Sequence, residues 1–157
     1  MRRNEREIKD RKAMEAVIER AQICRIGLSE NGIPYIVPMN FGYKDNYLYF
    51  HCALEGKKLD IISNNPEVCF EMDTDYELLK VEERPCGWSV KYRCIIGSGT
   101  ATVIKDIQEK LTALNIITKH YGGRWYDFPE KELEAVGIIR IEIDNITGKQ
   151  AGYLEAT

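Results

Sequence analysis

Ile33-Pro34-Tyr35-Ile36-Val37-Pro38-Met39-Asn40-Phe41-Gly42-Tyr43 is the most strand-like stretch of the chain. Ile33, Tyr35, Val37, Met39, Phe41 and Tyr43 alternate with Pro34, Ile36, Pro38, Asn40 and Gly42. This period of two places the first set on one face of a strand. Lys44-Asp45-Asn46 then reads as the turn into a second strand, Tyr47 to Cys52. Pro38 has no N–H to give to a ladder, so it belongs at an edge or beside a bulge. Two readings of that edge stand side by side. Proline guards it against pairing with other chains, or its free backbone groups meet a flat heteroaromatic ligand.

Working outward, Asp10 precedes Ala13, Met14, Val17, Ile18 and Ala21, an N-cap and one apolar stripe at helical spacing. A short strand is expected over Ile23 to Leu28, turned by Glu30-Asn31-Gly32. Gly56 to Ser63 reads as a short helix ended by Asn64-Asn65-Pro66, and Val68 to Met72 as a strand. Asp73 to Arg84 is polar and acidic, the composition of a loop or a frayed hairpin. Trp88 to Ile104 is β-rich, with Gly97 and Gly99 where a bulge or barrel corner belongs. Asp106 and Glu109 form a capping box for a long helix with Ile107, Leu111, Leu114 and Ile117 as its stripe, stopped by Gly122-Gly123. A helical turn, Glu130 to Ala135, and a last strand, Ile138 to Ile143, follow. Five or six strands joined mainly by hairpins disfavour a doubly wound parallel sheet. The pattern predicts an α+β, mainly β fold: one domain over residues 1–157, a partly closed antiparallel barrel with peripheral helices.

The 157 residues carry 30 % charged and 44 % hydrophobic side chains and a net charge of −3, the balance of a globular protein without a charge run for nucleic acid or anionic membrane. Arg2-Arg3 is followed by no apolar stretch, and no run approaches the roughly 20 residues of a membrane span, so the expected address is the cytoplasm. Cys24, Cys52, Cys69, Cys86 and Cys94 include no C-x-x-C pair. Neither a disulfide framework nor a zinc site is indicated, and buried thiols are the default.

His51-Cys52-Ala53-Leu54-Glu55-Gly56-Lys57-Lys58 breaks a local rule. Lys57 and Lys58 fall in the first turn of a helix, where the macrodipole favours carboxylates. Exposed N–H groups, two ammonium groups and the His51 imidazole converge there, and a phosphate would satisfy them all. The alternative is two solvated lysines that tolerate a small dipole penalty. No Walker pattern is present, and Gly97-Ser98-Gly99 lies inside a strand, not before a helix. Trp88 to Cys94 alternates aromatic and basic residues, a cross-strand ladder in preference to a nucleic-acid patch. His51 and His120 stand without an acidic cluster, which argues against a catalytic metal, and His120 suits the C-terminal end of its helix. The sequon Asn145-Ile146-Thr147 carries no meaning at a cytoplasmic address.

The run Pro34 to Tyr43, then Leu48 to Ala53, Gly56-Lys57-Lys58-Leu59-Asp60, Asn65-Pro66 and Val68-Cys69-Phe70, resembles the nitroimidazole-resistance branch of the pyridoxamine 5′-phosphate oxidase-like flavoproteins. Tyr92 to Ile96, Gly99, Glu109-Lys110, Ala113-Leu114 and Thr147-Gly148-Lys149 continue the likeness in the right order. The resemblance implies an FMN-binding split β-barrel, a homodimer with two FMN sites at the subunit interface. Carried over by position, Pro38, Met39, Asn40 and Phe41 would lie along the isoalloxazine ring. His51, Lys57 and Lys58 would face the phosphate and ribityl end, with Arg93 and Cys94 nearby. The family often has serine where this chain has Cys94, and a thiol is the poorer hydrogen-bond donor.

The implied activity is a flavin-dependent oxidoreductase acting on a small planar acceptor such as a nitroimidazole, with His51 as the candidate proton donor. A flavin-binding or redox-sensing module without turnover, a related barrel using haem or a deazaflavin, and an oxidase of pyridoxamine phosphate are the alternatives. The last is disfavoured, because no second phosphate-binding cluster can be located.

Overall fold

A computed structural model of the chain describes residues 3–81 and 85–153. Met1, Arg2 and the end of the acidic stretch, Glu82 to Arg84, lie outside the described residues. The elements in chain order are β1 (Glu7–Ile8), α1 (Arg11–Arg20), β2 (Cys24–Glu30), β3 (Ile33–Met39), β4 (Gly42–Lys44), β5 (Tyr47–Cys52), α2 (Lys57–Asn64), β6 (Glu67–Leu79), β7 (Ser89–Ile104), α3 (Ile107–His120), α4 (Glu130–Glu134) and β8 (Gly137–Ala151).

All strands belong to one antiparallel eight-stranded sheet in the order β3-β2-β6-β7-β8-β5-β4, with β1 on β8. The two ends of that order, β3 and β4, are consecutive in the chain and separated only by Asn40 and Phe41. Two residues reach no more than about 10 Å. The sheet must therefore curl until its edges almost meet, without hydrogen bonds closing the seam. This is a split barrel. The eleven-residue alternation kept its faces from Tyr35 to Phe41 but not its partner: β3 pairs with β2, and β4 with β5. Pro34 and Pro38 share a parity on the edge strand β3, opposite Ser29 and Arg25, where neither ring nitrogen is needed by the ladder.

Inside the curl, Phe41, Phe50, Phe70, Leu48, Met72 and Ile141 are completely or almost completely buried. On the outer side of the β5–β8–β7 end, α3 covers Ile104 and Ile138 with Ala113. Both long helices start at the aspartates the sequence names, but the capping box of α3 is only half made, because the Glu109 carboxylate turns to Arg140 at 3.8 Å. Asp10 Oδ2 accepts the Ala13 amide at 2.9 Å, and Asp106 Oδ1 accepts the Glu109 amide at 2.9 Å.

Several expectations are corrected. Of the two readings of the acidic stretch, loop or frayed hairpin, the hairpin holds over residues 73–79, where β6 continues past a register shift between Thr74 and Glu77 to pair with β7. β8 runs on through Asn145 to Ala151, since β7 is long enough to partner it, and β1 was not anticipated. The buried face of α3 is Lys110, Ala113, Asn115 and Ile117, while Ile107 and Leu111 are only partly covered. Of the cysteines only Cys24 is fully buried; Cys69 and Cys86 are exposed. The expected bulge is present, with the β7–β8 register shifting between Ser98 and Gly99. A Cβ on Gly97 would come within 2.3 Å of the Phe70 ring, so only glycine lets the strands close there.

Candidate functional site

The start of α2 differs from those of α1 and α3. Its N-cap is Gly56, at φ 129° and ψ 163°, and no side chain caps it. An L-residue rarely takes that φ, so glycine is what lets the chain enter the helix at this angle. The carbonyl of Gly56 accepts the amides of Leu59 (2.8 Å) and Asp60 (3.3 Å). The N–H groups before them are left for another acceptor, as at any helix start without a cap. Lys57 and Lys58 stand in that first turn, the former exposed and the latter half-buried. Lys57 Nζ lies 4.7 Å from the centre of the Tyr35 ring on β3. The uncapped helix start is thereby tied to the same edge strand that carries Pro38 and Met39, with Asn40 just past its end, three to five residues on. At about 3.3 Å per residue, 10–17 Å of strand separates them.

His51, half-buried at the end of β5, pairs with Ile138 of β8 and precedes the Ala53–Gly56 connection into α2. Cys52 beside it pairs with Gly137. Burial pushes the Cys52 thiol up, and the ammonium groups of Lys58 and Lys110 act against that rise. Lys110 was not foreseen as part of this corner. Its side chain is buried, and its Nζ donates to the carbonyls of Leu133 (3.0 Å) and Val136 (2.7 Å), the latter just before Gly137. Its spacing, three residues after Ile107 and four before Leu114 on the apolar stripe, was the available signal.

Other expected site residues are placed elsewhere. Phe41 is fully buried, 4.4 Å centroid to centroid from His120 and 6.2 Å from Phe50, and its amide donates to Tyr121 Oη at 3.0 Å. Its ring is core, turned inward where the chain crosses the seam. His120 does more than sit at a helix end, with Nε2 2.7 Å from the Ala21 carbonyl. Arg93 and Cys94 are neighbours on β7 and so face opposite sides of the sheet. Arg93 Nη1 donates to Asp75 at 2.8 Å, and its guanidinium lies 3.6 Å from the Tyr153 ring centre. Cys94 faces outward opposite Asp73 and Lys149. Burial first, then Glu71, raises its thiol pKa, against the opposing charge of Lys149. Ile104, in line with Ile138 and His51, lies eleven residues along β7 from Arg93. That is about 35 Å of strand. Within one copy, Lys57 is tied to the β3 edge through Tyr35, and Arg93 with Cys94 lies far along β7 from the level of His51. Pro38 pairs with Arg25, which pairs with Glu71 opposite Ile96, so the β3 edge is level with the Cys94 end of β7.

On the outer face of the sheet a groove of about 620 Å³ is lined by Gly27, Pro34, Ile36, Cys69, Ser98 and Asn65, among others. Asn65 is at the opposite end of α2 from the lysines, so this groove and the uncapped helix start are separate features. No group of three or more His, Cys, Asp or Glu side chains suited to a metal ion occurs among the described residues. No helix there is long and apolar enough to cross a membrane.

The model of the pyridoxamine 5′-phosphate oxidase family matches residues 10–150. Among solved structures, a candidate 5-nitroimidazole antibiotic resistance protein from Bacteroides thetaiotaomicron is 31 % identical, with TM-score 0.82 over 92 % of this chain and 86 % of its own. A flavocytochrome from Azotobacter vinelandii is 18 % identical, with TM-score 0.83 over 98 % of this chain and 72 % of its own. An FAD- and haem-binding protein from Mycobacterium smegmatis is 18 % identical, with TM-score 0.80 over 94 % and 74 %. The last two likenesses are of fold alone. No curated protein matches the chain.

Proposed function

The chain belongs to the pyridoxamine 5′-phosphate oxidase family, and from that premise we propose that it is an FMN-dependent oxidoreductase that reduces a small planar acceptor such as a nitroimidazole. The observation that carries the cofactor reading is the contrast among helix starts. α1 and α3 are closed by aspartates, whereas α2 opens on Gly56 with no cap and two lysines. An acidic cap there would repel a phosphate. An uncapped turn with two ammonium groups offers it charge-assisted hydrogen bonds and the positive end of the helix dipole.

In this reading Gly56, Lys57 and Lys58 hold the phosphate, and the backbone edge of Pro38, Met39 and Asn40 lies along the ring. Phe41 supports that edge from inside the core. Arg93 and Cys94 come from a second copy of the chain, so each site is shared across a homodimer of one-domain subunits. Bound FMN would supply the electron transfer, while the protein sets orientation, access and proton supply. His51, beside the anion site, either binds the phosphate end or gives a proton to the acceptor. The likeness to the Bacteroides protein favours a nitro-aromatic as acceptor. A flavin-binding or redox-sensing module without turnover is the rival reading, because the sequence holds no pyridine-nucleotide fingerprint. The test is spectroscopic. Purified protein should be yellow or become so with FMN, be bleached by NADH or NADPH, and regain its colour with a nitroimidazole. Bleaching by no donor would favour the module, and protein that takes up no flavin would overturn both readings.

A further inference from the structure

Lys110 is 6 % exposed, yet it has only carbonyl partners. Its sequence neighbour Glu109 is turned toward Arg140, 3.8 Å away, and the carboxylate of Asp106 is engaged with the Glu109 amide. The salt bridges among the described residues include none to Lys110. Lys110 is also the fourth residue of α3, near the positive end of that helix dipole. Burying an ammonium there without a counter-ion is unfavourable, and its partners are two carbonyls, that of Leu133 in the five-residue α4 and that of Val136 just past it.

The position of Lys110 suggests what balances it. Val136, whose carbonyl it binds, is followed by Gly137, and a Cβ on Gly137 would lie 2.5 Å from the Ala53 carbonyl and 3.0 Å from Cys52 Sγ. Ala53 begins the connection that delivers Gly56, Lys57 and Lys58. Cys52, next to Ala53 in the chain, pairs with Gly137, so Lys110 meets the start of that connection through the Val136–Gly137 backbone.

We infer that Lys110 is a positioning residue for the phosphate: it fixes the Val136–Gly137 corner against the Ala53–Gly56 connection and lends a buried positive charge that the ligand's phosphate completes. The inference rests on the cofactor reading above. It assigns to Lys110 a preference for phosphorylated over unphosphorylated flavin without direct contact.

The experiment titrates FMN and riboflavin into flavin-free wild type, Lys110→Met, Lys110→Gln and Lys110→Arg. Loss of a buried positive charge beside the site predicts that the FMN-over-riboflavin preference falls about tenfold in the Met and Gln variants. Riboflavin affinity should stay within about twofold, and Lys110→Arg should retain most of the preference. A purely structural brace would weaken both ligands alike, and that result, or an unchanged preference, overturns the inference. A wild type that does not prefer FMN overturns the cofactor reading instead. Should the neutral variants fail to fold, Lys57→Ala/Lys58→Ala is melted in sodium phosphate and in sodium chloride of matched ionic strength. A specific rise in melting temperature with phosphate that survives loss of both lysines supports Lys110 as the remaining cation. Its complete loss overturns that role.

Discussion

Replacing Lys57 and Lys58 together by alanine removes the two mobile charges at the α2 start while leaving Gly56 and its backbone in place. A charge-assisted hydrogen bond contributes about 1.5–3 kcal/mol. Lys57 is exposed and gives up its place over Tyr35, an interaction of about 0.5–1 kcal/mol, when it turns to a ligand. Its net share is then about 1 kcal/mol. Lys58 is half-buried, less screened, and its share is about 2 kcal/mol. The pair should therefore cost about 3 kcal/mol of FMN affinity, roughly 100-fold in Kd. Quenching of flavin fluorescence on titration with flavin-free protein reads this directly. Riboflavin, which lacks the phosphate, is the control and should lose little. Unchanged FMN affinity, or equal losses for both flavins, would refute the assignment of this helix start to phosphate.

His51→Ala should lower turnover with a nitroimidazole more than flavin occupancy if the imidazole gives a proton; parallel losses in a stopped-flow and absorbance comparison would leave it a binding residue. Asp106→Ala removes the cap of α3 and should cost about 1 kcal/mol in urea unfolding, with FMN affinity preserved. Gly97→Ala drives a methyl group into Phe70 and the Asn145 carbonyl, 2.3 and 2.7 Å from its Cβ, and should destabilise by about 2–3 kcal/mol or prevent folding, read by thermal melting. In native protein a thiol reagent should modify exposed Cys69 and Cys86 quickly and leave Cys24 untouched until unfolding, because burial pushes that thiol well above its ordinary pKa. Mass mapping of the labelled sites decides it.

Local signals were enough for much of the molecule. Asp10 and Asp106 announced two helices because an N-cap is a contact between neighbours in the chain. The alternation named the faces correctly from Tyr35 to Phe41, though Ile33 is exposed and Gly42 buried, because strand geometry has a period of two whatever the partner. The anomaly of Lys57 and Lys58 was equally legible, since the helix dipole is a local property.

Partner choice was not legible, and it decided the rest. Whether residues 73–79 and 145–151 are strand depends on the long ladder of β7 beside them, not on their own polar composition. The break at Asn40 and Phe41 came from the curl that brings β3 and β4 to the two sides of one seam, and that curl turned Phe41 into the core. Lys110 looked like a surface lysine until α4 and the start of β8 folded over it. Arg93 and Cys94, adjacent in sequence, were sent to opposite faces by the pleat and far from the level of His51 by the length of one strand. A side chain's type sets what chemistry it can do, but its burial, its charge balance and its neighbours arise from contacts between distant segments, and these exist only in the folded chain.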